Sequence, residues 1–444
     1  LNVATSGKLG ILVGGGPAPG INSVITAATI RARLGGVEVL GIRNGFHHLM
    51  EGEIDEDNVF PLTIAKVSRI HFRGGSMLGI SRANPTRDPA KMQTAIDSLK
   101  KLGITMLVTI GGDDTALSAM TLKKAAGGNL RVVHVPKTID NDLELPPTID
   151  TFGFQTAQHI GAQIVGDIMT DARTTSRWYL IIAMGRKAGH LALGIGKSTG
   201  ATLTLIPEEF QDEKVSLSEI VDTLVGAILN RHASKRPDGV AVIAEGVMLN
   251  LDLDNLPASV RQELADAPRD DHGHLRLGDV NSGAIIKKAV EARLEELGAP
   301  KTTVIAKNVG YELRCADPIP FDVSYTRDLG YCAAKYILTD GDGVMVSMQG
   351  GHFVPVNFDE MLDPVTKKTK VRLVNVNSTR YAIARRYMIR LRRDDFPPEG
   401  ISDDELATWE PLAPVAAIVK LSVKDFVKEF KYLTRHEPPA LNLQ

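Results

Sequence analysis

Three short apolar runs, at residues 10–13, 104–110 and 132–135, each hand over to a loop crowded with Gly, Pro, Asp or Lys and then to a helix-like stretch. That alternation constrains the chain to an α/β fold with a mainly parallel sheet, because strands buried on both faces read as short unbroken apolar runs. In such sheets ligands collect beyond the carboxyl ends of the strands, so the three loops are where chemistry is expected. After a long helical stretch at 151–173, strands are expected again at 178–183, 201–206, 240–244 and 303–306, which makes a second α/β domain. A chain of 444 residues is long enough for both domains to bury a core of their own.

Beyond these elements the pattern weakens. Residues 251–279 turn polar and irregular around Asp270-Asp271-His272-Gly273-His274 and read as an exposed insertion. From residue 352 the elements shorten, and the pairs Pro397-Pro398 and Pro438-Pro439 punctuate an expected appendage. The basic stretch 381–393, with Arg385, Arg386, Arg390, Arg392 and Arg393, reads as a solvated or subunit-contacting helix face rather than a nucleic-acid site.

Charge and composition exclude several classes of function. A net charge of -2 with both signs interspersed offers no field for nucleic acid or an anionic membrane, so an anionic ligand must be held locally. No apolar run approaches the roughly 18 residues of a membrane helix, and residues 1–8 lack the pattern of a signal peptide. Cys315 and Cys332 have no ligand-like spacing, and two free thiols fit a reducing cytoplasm.

The first loop, Gly14-Gly15-Gly16-Pro17-Ala18-Pro19-Gly20, joins a strand to a helix and offers backbone N–H groups and a positive helix end to a phosphate. Two familiar fingerprints fail here. A dinucleotide motif from Gly14 would need glycine where Pro19 stands, and a P-loop from Gly15 would need lysine where Ile21 stands. Gly196-Lys197-Ser198 imitates a P-loop end, but its first glycine would fall on Leu191 inside a helical stretch. A tight structural turn remains an alternative for the first loop.

The second loop, Gly111-Gly112-Asp113-Asp114-Thr115, can be a helix cap or a magnesium ligand set beside a phosphate. The third, Pro136-Lys137-Thr138-Ile139-Asp140-Asn141-Asp142, crowds a cation, a hydroxyl and two carboxylates together. Asp140 could accept a proton from an incoming hydroxyl while Lys137 offsets charge on a phosphoryl group. An Asx turn is the plainer alternative. In the second domain Arg177, Met184-Gly185-Arg186, Glu245 and Arg314 lie at strand ends, and three arginines there suit an anionic substrate head.

The ordered set GGGPAPGIN, GGDDT, PKTIDND, MGR, AEG and GYELR, running from Gly14 to Arg314, resembles the phosphofructokinase family. The resemblance implies two Rossmann-like three-layer domains: residues 1–151 with about 315–350 for the phosphoryl donor, residues 152–314 for the sugar phosphate, and a C-terminal extension at 351–444. It also implies Asp140 as the base toward the C1 hydroxyl of fructose 6-phosphate, with Lys137, Thr138 and Asp142 around it. Asp113 is implied as a Mg2+ ligand, and Gly16, Arg82, Gly112, Asp114 and Thr115 as donor contacts. Arg177, Met184, Gly185, Arg186, Glu245, Tyr311 and Arg314 are implied for the sugar phosphate. Arg177 would reach a neighbouring subunit, so a homodimer or homotetramer is expected.

Asp114 and Lys137 are similar to the pyrophosphate-dependent branch of that family, whereas ATP-using bacterial members typically carry glycine at both positions. A carboxylate at Asp114 would meet the α-phosphate of ATP with repulsion of about 4 kcal/mol at ~4 Å in an effective dielectric of ~20, but pyrophosphate is anionic too, so most of the exclusion is assigned to the volume Asp114 occupies. Tyr311 stands where many bacterial members have histidine. Thr202 falls where allosteric members carry an acidic effector residue, so nucleotide regulation is not expected.

Overall fold

The structure is a computed structural model describing residues 7–146, 149–210, 215–252, 262, 266, 281–361, 363, 369–435, 437–438 and 441. The core of the insertion expected at 251–279, including Asp270 to His274, lies outside the described residues, as does Pro439. Two compact units emerge, one of residues 1–158 with 311–372, the other of 159–310 with 373–444.

In the first unit a seven-stranded sheet combines β1 (Lys8–Val13), β2 (Val39–Ile42), β3 (Val59–Leu62), β4 (Ile104–Gly111), β5 (Arg131–Pro136), β10 (Val344–Met345) and β13 (Val356–Asn357) in the order β13-β10-β5-β4-β1-β2-β3. The five inner strands run parallel, and β3 and β13 close the two edges antiparallel. β1 and β4 are almost wholly buried, as central strands covered on both faces must be. The chain leaves β1 toward β2 on one side and returns through β4 on the other. Strand order therefore reverses between β1 and β4, which opens a crevice at their carboxyl ends. A hairpin of β11 (Met348–Gln349) and β12 (His352–Phe353) stands apart from the sheet.

The second unit holds a four-stranded parallel sheet of β6 (Trp178–Ala183), β7 (Leu203–Leu205), β8 (Gly239–Ala244) and β9 (Val304–Val309), ordered β7-β8-β6-β9. Its helix Leu217–Ala233 begins where the Ser216 side chain accepts the Glu219 N–H, an N-cap that satisfies one of the helix's orphan donors. Gly196, Lys197 and Ser198 lie inside the helix His190–Thr199, not in a phosphate loop. Among the described residues no helix is long and apolar enough to cross a membrane.

Two expectations change. The C-terminal stretch from 351 is not a unit of its own: β13 completes the first sheet, and residues 373–444 pack with the second unit. Tyr311 and Arg314 likewise fall in the first unit rather than the second. The basic stretch is also not a uniformly solvated face. Arg385 and Arg390 are each 7% exposed and converge on one oxygen of the buried Glu209 at 3.0 and 2.8 Å. Burial alone would push the Glu209 carboxyl up, but the Arg390 and Arg385 charges outweigh it and hold it below the usual range.

Candidate active site

All three glycine- and aspartate-rich loops leave the carboxyl ends of β1, β4 and β5 beside the crevice. After β1, Gly14 donates its N–H to Ile110 O (2.9 Å) and Gly15 donates to Ser81 O (2.9 Å), so this loop is sewn to its neighbours. Gly14 is required by close approach: an added Cβ would sit 2.5 Å from the Thr115 Oγ1. Arg82, exposed, follows directly on the bridge between Gly14 and Ser81.

After β4, Gly112 precedes the helix Asp113–Ala125, whose first turn carries Asp113 and Asp114 and whose last carries Lys123 and Lys124. This charge order suits the helix dipole. The Asp113 carboxylate accepts the Asp114 N–H at 2.9 Å. The cap expected of Asp114 or Thr115 is not formed: Gly112 takes the N-cap position without a side-chain bond, and Asp113 stands at the first helical position. Asp113 and Asp114 are half-buried, and Thr115 is buried against Gly14.

Lys137 follows β5 and is the centre of the cluster. It is 4% exposed, and its ammonium donates to Gly16 O. Burial pushes this ammonium down, the Arg314 charge pushes the same way, and Asp140, Asp113 and Asp142 pull it back up, leaving it at about 8. Asp113, Asp140, Asp142 and Arg314 thus all lie within electrostatic reach of this one cation. Arg314 also approaches the first loop, its NH1 standing 3.3 Å from where a Cβ on Gly16 would be, and stacks its guanidinium over the Tyr311 ring at 4.5 Å. The Arg314 Nε is buried with no hydrogen-bond partner.

The third loop turns sharply. Thr138 Oγ1 accepts the Asp140 N–H at 3.0 Å, and Thr151 Oγ1 donates to Thr138 O at 2.7 Å. Asn141, between the two aspartates, is buried and left-handed with φ 57°. Asparagine tolerates that conformation better than most side chains. Its amide donates to Asp150 at 2.8 Å and accepts the Thr151 N–H at 2.9 Å.

In the second unit Met184, Gly185 and Arg186 follow β6, and Glu245 follows β8 alongside. Gly185 takes φ 135°, out of easy reach of other residues, and donates its N–H to Glu245 Oε1 at 3.4 Å. Gly246 N–H returns to Gly185 O at 3.1 Å, so these two motifs form one cluster. Arg177 stands before β6, at the other end of a six-residue strand, roughly 20 Å from Met184 by strand rise. Within one chain it does not join that cluster.

A family model described as phosphofructokinase matches residues 8–337 of this chain. The chain belongs to the phosphofructokinase family. It is 51% identical over 394 residues to a Thermotoga maritima protein named pyrophosphate–fructose 6-phosphate 1-phosphotransferase, covering 87% of this chain and 92% of the relative. A Naegleria fowleri protein of the same name is 47% identical over 434 residues, covering 96% of each. Among solved structures, a pyrophosphate-dependent phosphofructokinase from Nitrosospira multiformis aligns with TM-score 0.63 at 18% identity, covering 90% of this chain and 95% of that one. Pichia pastoris phosphofructokinase in the T-state gives 0.64 at 20% identity over 81% of this chain, which spans only 38% of the Pichia chain. At these identities the structural likeness speaks to the phosphofructokinase fold.

Two residues beside this candidate site were given no role by the sequence, His134 outside any motif and Asn22 at the end of the first. His134, fully buried in β5, meets Thr109 Oγ1 at 2.9 Å through Nδ1 and Gly111 O at 3.1 Å through Nε2. Burial pushes it down to about 3, so it is a neutral imidazole that donates from Nε2 to the carbonyl. Gly111 O also accepts the Lys137 N–H at 2.8 Å. Asn22 ties the helix after the first loop to the 73–77 segment, donating to Arg73 O and Gly74 O at 3.1 and 3.2 Å and accepting from Met77 N–H at 2.8 Å. Only a polar residue in a buried strand or first helical turn could have drawn attention to either.

Proposed function

We propose that this protein transfers a phosphoryl group reversibly from pyrophosphate to the C1 hydroxyl of fructose 6-phosphate. The observation that carries the reading is that Lys137, one of two positions the sequence ties to pyrophosphate, is the buried cation of the loop cluster, with the other, Asp114, at the adjoining helix start. The names of the two relatives at 51% and 47% identity support the same donor and sugar.

In this reading the first loop and the start of helix Asp113–Ala125 receive the donor, with Gly16, Arg82, Gly112 and Thr115 lining its path. Lys137 faces the phosphoryl group in flight and offsets its charge. Asp140 takes the proton of the sugar hydroxyl, held by Thr138 and the turn that leads to Asp142. Asp113 offers a half-buried carboxylate, the hard oxygen that Mg2+ takes, with water and the donor phosphates to complete the shell. When bound there, the ion neutralises donor phosphate charge. The family resemblance assigns Met184, Gly185, Arg186 and Glu245 to the sugar, and Tyr311 and Arg314 to its phosphate. Arg177, remote from that cluster, serves the site of a second subunit in a homodimer or homotetramer.

Donor-dependent kinetics on the purified protein test this. Turnover is expected with pyrophosphate and not with ATP, and Asp114→Gly is expected to make ATP turnover measurable by clearing the path of the α-phosphate. ATP turnover without pyrophosphate turnover in the unaltered protein would overturn the assignment.

A further inference from the structure

The turn that carries Asp140 and Asp142 is braced from a distant part of the chain. Arg372 lies beyond residue 337, where the family match ends, and more than 200 positions from the loop. Its backbone N–H donates to Asp142 O at 2.9 Å, and Val371 forms an antiparallel bridge with Leu143. Its guanidinium points into the same loop from three nitrogens. Nε donates to Asn141 O at 3.1 Å, NH2 to Asn141 Oδ1, and NH1 to Ile149 O at 2.6 Å, with longer contacts to Leu145 O and Pro146 O at 3.5 and 3.4 Å.

We propose that Arg372 is a positioning residue for phosphoryl transfer, clamping the left-handed Asn141 corner so that the two flanking aspartates are aimed at the reacting groups. The proposal rests on the reading of Asp140 as the base. Asn141 is where the clamp acts, because its carbonyl and its side-chain oxygen are both bound by one guanidinium. A left-handed non-glycine residue persists only where its surroundings over-determine it, and here Thr151, Asp150 and Arg372 do so together. Asp142, Glu144 and Asp150 add favourable charge around Arg372. The rigid planar fork matters: a lysine ammonium has one point of charge and cannot serve the Asn141 carbonyl and amide oxygen together with Ile149 O. The side chain touches no reacting atom in this scheme, so its effect falls on alignment.

The test compares Arg372→Met and Arg372→Lys with the unaltered protein, using steady-state kinetics and backbone hydrogen exchange. Misalignment of order 1 Å costs about 100-fold, so Arg372→Met is expected to lower kcat by ~30- to 100-fold while both KM values stay within about threefold. Arg372→Lys is expected to recover part of that loss. Amide exchange should accelerate across 139–146 and stay unchanged in β4 and β5. A kcat within about threefold of the unaltered protein would overturn the proposal, as would faster exchange throughout β4 and β5, which would make Arg372 a general stability element. If the unaltered protein does not use pyrophosphate, the proposed function fails on its own, and the exchange measurement still decides whether Arg372 holds the corner.

Discussion

Lys137 and the pair Arg385 and Arg390 are all buried cations, yet they are met differently. The two arginines share the carboxylate of Glu209, an opposite charge in direct contact. Lys137 donates to a neutral carbonyl, stands near another cation, Arg314, and is depressed to about 8. Charge met by charge at close range makes a joint, whereas charge met mainly by a carbonyl and by surrounding carboxylates leaves room for an anionic ligand to improve its situation. On this ground Arg385 and Arg390 hold the fold together, and Lys137 is the cation proposed to meet a ligand.

The sharpest way to break the comparison is to remove each charge. Lys137→Met is expected to lower kcat/KM for pyrophosphate by ~1000-fold, the scale of losing a preorganised charge at the transition state, with no loss of thermal stability. A large drop in melting temperature, with activity per folded molecule retained, would move Lys137 into the structural class. Glu209→Gln should do the reverse. It leaves two arginines without their counter-charge and is expected to cost about 3 kcal/mol in denaturant unfolding, with both KM values unchanged. Lost activity at unchanged stability would refute that division.

A smaller effect concerns pH. If Lys137 acts as an ammonium, kcat/KM should decline as pH rises through about 8, and Lys137→Arg should remove that limb. Stability moves the other way. The folded value lies below the ordinary 10.5, so the unfolded chain holds more protons between about 8 and 10.5, and this group's contribution to stability rises with pH across that window. A flat kcat/KM profile to pH 10 would show that the charge on Lys137 is not needed.

Where the candidate site's loops fall in the fold was legible because parallel strands advertise their carboxyl ends. Gly14, Gly112 and Lys137 follow β1, β4 and β5 directly, Asp113 and Asp140 come within four residues of a strand end, and the sheet brings those strands side by side. What was hidden is what depends on distance or on compensation. β10 and β13 are two residues long, too short for any periodicity, so the split of the C-terminal stretch between the units could not be read. Arg385 and Arg390 read as surface residues because nothing near them in sequence announces Glu209, some 180 positions earlier. Arg372 was invisible for the same reason, and Asn141 was overshadowed by the two aspartates it separates.

The shared carbonyl of Gly111 has a consequence for how donor preference can change. It receives the backbone N–H of Lys137 and the ring of neutral His134, and neither bond involves the Lys137 side chain. Position 137 is therefore a socket on a fixed mount: its side chain can be exchanged while the path of the chain toward Asp140 stays where it is. Under the proposed function, the side chain at 137 and the placement of Asp140 as base are therefore separable, and one can change while the other is kept.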